Sequence, residues 1–121
     1  MILPRLALIA ALLAASGVCA HESAGAHGGR VADAGDFHVE LVTKSESVDV
    51  YVSDAKQRPI AATGFKGAAI LVVGGKPARV NLEPAEGNRL TGKAAAPLGV
   101  SPKGAVQLTT PNGATASGKF N

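Results

Sequence analysis

The sequence predicts an all-β domain, an antiparallel β-sandwich of about seven short strands behind a cleaved signal peptide. Three observations carry this expectation. Apolar and polar residues alternate with period 2 in successive segments, turn signals built on Gly, Pro and Asn separate those segments, and no run after residue 20 has a helical period.

Residues 1–20 have the layout of an export signal. Arg5 supplies the positive start, residues 6–15 the apolar run, and Val18 and Ala20 stand three and one residues before the expected cut between Ala20 and His21. The run falls short of the ~20 apolar residues of a spanning helix. Lipidation at Cys19 is disfavoured, because bulky Val18 precedes it where a small residue is wanted. The expected location is therefore the periplasm, with no transmembrane span in the mature chain.

Residues 21–29 are rich in His, Gly and Ala without periodicity and read as a flexible arm, followed by a β-sandwich domain over residues 30–121. Phe37, Val39 and Leu41 alternate with Asp36, His38 and Glu40. Val48, Val50 and Val52 alternate with Asp49, Tyr51 and Ser53. Residues 66–73 end in an apolar run suited to a central strand buried on both faces, with Ile70 and Val72 in the core. Gly74-Gly75 then suits a two-residue hairpin turn, since both positions tolerate positive φ. Val80 and Leu82 mark the next strand, residues 89–93 another, and residues 105–109 and 115–120 a last hairpin across Pro111-Asn112-Gly113. Seven such strands spaced by roughly 8–12 residues predict an immunoglobulin-like sandwich.

Composition narrows the function. Of 121 residues, 46% are hydrophobic, 17% charged and only 3% aromatic, with no Trp. Stacking on bases or sugars needs aromatic platforms, which are nearly absent. The net charge of +3 reads as scattered along the chain, so no nucleic-acid partner is expected. Cleavage after Ala20 removes Met1 and Cys19, the only sulfur-bearing residues, so the mature chain has neither thiolate nor disulfide. No Gly-x-Ser-x-Gly elbow, His-Glu-x-x-His helix or phosphate-binding loop occurs, and the expectation is a non-enzymatic, monomeric protein.

The histidines are the informative set. His21, His27 and His38 are the only three, and all lie near the start of the mature chain. Imidazole is a good ligand for Zn(II) and Cu(II), carboxylates complete such sites, and soft Cu(I) would lack sulfur here. Period-2 alternation places His38 and Glu40 on one sheet face, with side chains about 7 Å apart, near enough to share an ion. His21, once N-terminal, offers an α-amine with its imidazole, and His27 on the arm can fold over the same face. The candidate metal ligands are thus His27, His38, Glu40 and His21, for one divalent ion, Cu(II) or Zn(II). The competing reading is that His38 is a plain surface residue, His27 a loop-packing residue beside two glycines and His21 an exposed terminus, with Asp33 and Asp36 capping turns.

The string His27-Gly28-Gly29-Arg30-Val31, followed by Gly35-Asp36-Phe37 and Glu40-Leu41, resembles the small N-terminal β-domain of periplasmic adaptor (membrane-fusion) subunits of heavy-metal efflux pumps and of related stand-alone exported proteins. The likeness continues through Val50-Tyr51-Val52, Pro59, Leu82-Glu83-Pro84 and Asn88-Arg89-Leu90, spanning residues 27–95. It implies a periplasmic role beside metal efflux, with His27 and Glu40 at family-matched polar positions. The chain has no room for the adaptors' helical-hairpin, lipoyl-like or barrel domains, so bridging a pump to an outer-membrane channel is not expected of it. Two expectations follow: a metal-binding accessory protein of a copper- or zinc-type efflux or tolerance system, or a metal-free module that docks on an efflux pump or other envelope protein.

Overall fold

The computed structural model describes residues 22–121. Nine antiparallel strands follow one another: β1 (Glu22–Ala24), β2 (Arg30–Ala34), β3 (Phe37–Lys44), β4 (Ser47–Ser53), β5 (Lys66–Val73), β6 (Lys76–Pro84), β7 (Arg89–Lys93), β8 (Gly104–Thr109) and β9 (Thr115–Phe120). They form one sheet in the order β1-β2-β3-β4-β7-β6-β5-β8-β9. The sheet curls into a half-barrel, which corrects the expected sandwich. The reason lies in β6, which is long enough to belong to both halves. Its first part pairs with β5 over Gly67↔Leu82 to Val73↔Lys76, and its end pairs with β7 through Glu83↔Thr91 and Pro84↔Leu90. Two sheets that would otherwise face each other are thereby joined along one edge.

The concave side is the core. Val39, Leu41, Val48, Val50, Val52, Val80, Leu82, Val106, Leu108 and Phe120 are buried there, as their alternation predicts. Phe37 is half-buried and meets Phe65 edge-on, with ring centroids 5.7 Å apart. Strand β5 departs from expectation. Ala69 pairs with Val80 on one side and Val106 on the other, so Ala69 and Leu71 point inward. Ile70 is therefore half-buried and Val72 exposed on the convex side, although Ala68 on that side is buried: towards its hairpin end the strand is covered on one face only.

The curl is closed by small residues where β9 crosses β2 and β3. A Cβ on Gly118 would lie 2.8 Å from Val39 Cγ2 and 3.5 Å from Ala32 Cβ. Any larger residue at 118 would push β9 off the core. The hairpins follow their turn chemistry: Gly74 and Gly75 have φ of 57° and 78°, which sets the Val73↔Lys76 register. Outside the strands, Asp54 accepts from the backbone N–H groups of Lys56 and Arg58 and from Arg58 Nε, closing the loop after β4.

Candidate functional site

Strand β3 carries Val39 and Leu41 into the core, and the same alternation puts His38 and Glu40 on the convex face. Glu40 is flanked by Val31 on β2 and Tyr51 on β4. It is nonetheless only 6% exposed. The cover is the segment before β2: β1 pairs with β2 through Glu22↔Ala32, Ser23↔Val31 and Ala24↔Arg30, and the turn over residues 25–28 folds across the carboxylate. The stretch expected as an arm thus contains a strand and a hydrogen-bonded turn.

Three donors meet the Glu40 carboxylate. The backbone N–H groups of His27 and Gly29 each donate to Oε2 at 2.9 Å, and His27 Nδ1 lies 2.8 Å from Oε1. An ionised carboxyl only accepts, so in this contact Nδ1 is the donor. A charge this deeply covered is tolerable only with such partners. Gly25 makes the approach possible, since a Cβ there would overlap the Glu40 carboxyl group itself. The His27 ring stacks on Tyr51, centroids 3.5 Å apart and planes 5° from parallel. Carboxylate and stack together fix the ring's position and plane, while its side chain stays 41% exposed. A cavity of about 110 Å³ opens beside the pair, bordered by Tyr51, Gln57 and Asn88.

His38 has a different partner. Its Nε2 is 3.1 Å from Oδ1 of Asp33, the residue facing it on β2, and its Nδ1 is buried without a hydrogen bond. The structure therefore brings His27 and Glu40 together and leaves His38 on the same face in a separate pair. Asp33 sits within β2 rather than at a turn, and Asp36 is exposed in the turn between β2 and β3. His21 lies outside the described residues. Among the described residues no three His, Cys, Asp or Glu side chains converge as a metal-binding group.

Sequence reasoning missed Tyr51 and Gly25. Tyr51 was legible only as an outward residue of β4, and nothing in a Gly/Ala-rich segment marks which glycine must lie against a carboxylate. No protein-family model, curated protein or solved structure matches this chain.

Proposed function

We propose that this is an exported, non-enzymatic protein that binds one divalent ion, Cu(II) or Zn(II), as a periplasmic accessory of a heavy-metal efflux or tolerance system. One observation carries the metal part. Glu40 Oε1 lies 2.8 Å from His27 Nδ1 on a ring that stays 41% exposed, so in the neutral imidazole the proton sits on Nδ1 and Nε2 is the nitrogen left to ligate. A carboxylate behind an imidazole in this way selects the tautomer and raises ligand basicity. On this reading His27 is the ligand and Glu40 its positioning partner, whose oxygens already meet three donors. His21, with the α-amine freed by cleavage, is the nearest other histidine in sequence and would complete the site. His38, committed to Asp33, is peripheral. The efflux setting rests on the sequence resemblance and the export signal.

Calorimetric titration of the processed protein tests the reading. One equivalent of Cu(II) or Zn(II) should bind, more tightly at mildly alkaline than at mildly acidic pH because protons compete for imidazole. His27→Ala should abolish most of the heat, Glu40→Gln should weaken binding roughly 10–100-fold, and His38→Ala should leave it nearly unchanged. A wild type silent towards both ions at micromolar concentration would refute the metal reading and leave the docking-module reading in its place.

A further inference from the structure

The half of the sheet formed by β5, β6, β8 and β9 is set apart by charge. Residues 66–84 and 102–121 carry five cations (Lys66, Lys76, Arg79, Lys103, Lys119) and a single acid, Glu83. The rest of the chain after residue 20 carries six cations against eight acids. The positive charge that looks scattered in sequence is gathered by the fold. Register fixes the arrangement: Arg79, Ile70, Ala105 and Lys119 form one cross-strand row on the convex face. In the next row towards the hairpin end, Pro77 pairs with Val72, whose N–H donates to the Lys103 carbonyl at 2.8 Å. Among the described residues none of these five cations has an ion-pair partner, whereas Arg58 and Arg89 are paired with Asp54 and Asp49.

At the same end stand the two exposed large hydrophobic residues among the described ones, Val72 at 39% and Val100 at 97%. They border one open cleft together with Lys103 and the Gly74-Gly75 turn. Unpaired cations on long stems, small apolar residues between them and a bare valine at the tip are the ingredients of interfacial membrane binding. Aromatic platforms for nucleic-acid bases are absent from this face. An acidic protein would complement the cations but leave Val100 without a purpose.

We infer that this face docks on the surface of an anionic lipid bilayer, with Val72 and Val100 entering the headgroup layer and Arg79, Lys103 and Lys119 meeting lipid phosphates. The docking does not depend on metal binding.

The test is co-sedimentation of the processed protein, its mass verified, with phosphatidylcholine vesicles and with vesicles containing phosphatidylglycerol. Binding should require phosphatidylglycerol and fall with added salt. Arg79→Gln and Lys119→Gln should each reduce the partition coefficient about fivefold, and Val100→Ser should reduce it several-fold while leaving the fold intact by circular dichroism. Failure to sediment with anionic vesicles, or sedimentation indifferent to these three substitutions, would overturn the proposal. So would equal competition by poly-glutamate in wild type and Val100→Ser, which would mark the face as a site for acidic protein.

Discussion

Removing the Glu40 carboxylate takes away the acceptor shared by the His27 and Gly29 amides and the partner of the His27 ring. Each buried donor left unpaired costs about 1–3 kcal/mol, so Glu40→Ala should lower the urea midpoint and expose β1 to protease. Protection equal to wild type in a limited-proteolysis time course would contradict this role. Gly25→Ala should act through the same contact, since the added Cβ falls on the carboxyl group. Asp54 gives a pH-dependent case. The Arg58 backbone N–H, helped by the Arg58 side chain and the Lys56 N–H, holds its carboxyl below the ordinary range. A depressed folded-state value stabilises above the unfolded value, and that stabilisation is lost as pH falls through the folded one. Asp54→Asn should therefore lower the urea midpoint near neutral pH and match wild type at strongly acid pH. A difference that persists in acid would exclude the carboxylate as the cause.

At the level of strands, β5 separates the observed register from the expected one. Leu71→Ala should cost about 2–5 kcal/mol as a buried truncation, while Val72→Ala, on the convex side, should cost less than about 0.5 kcal/mol. Similar losses at both positions, by chemical denaturation, would mean a strand covered on both faces. Strands β3 to β9 were legible because each carries at least part of a period-2 pattern or a defined turn. Strand β2 was not, because its inward residues are Ala32 and Ala34, small enough to accept β9 at Gly118 and too weakly apolar to show a pattern. Strand β1 is three residues long, and its Ser23 and Ala24 are exposed. The apolar run of β5 misled because Ile70 and Val72 are as hydrophobic as buried residues yet face out. Alternation assigns residues to faces; it does not say whether the far face is covered.

For the molecule as a whole, alternation established all-β character but not closure. Whether two sets of strands face each other or join depends on one strand, β6, crossing between them, and only the Glu83↔Thr91 and Pro84↔Leu90 pairs show the join. The candidate site was legible in part for a similar reason. Clustering singled out His27, and alternation placed Glu40 outward, but the contact between them depends on how residues 22–29 fold back. Export processing bears on both: cleavage after Ala20 should give an intact mass starting at His21, and a lipid-modified Cys19 would contradict it. The proposed metal binding rests on Glu40 presenting His27 Nε2 to the ion. Long-range proton–nitrogen NMR of the imidazoles reads this directly. Without metal His27 should be the Nδ1–H tautomer, and on addition of Zn(II) its Nε2 resonance alone among the His27 ring nitrogens should shift strongly. A His27 ring protonated on Nε2, or a spectrum unmoved by stoichiometric Zn(II), would contradict it.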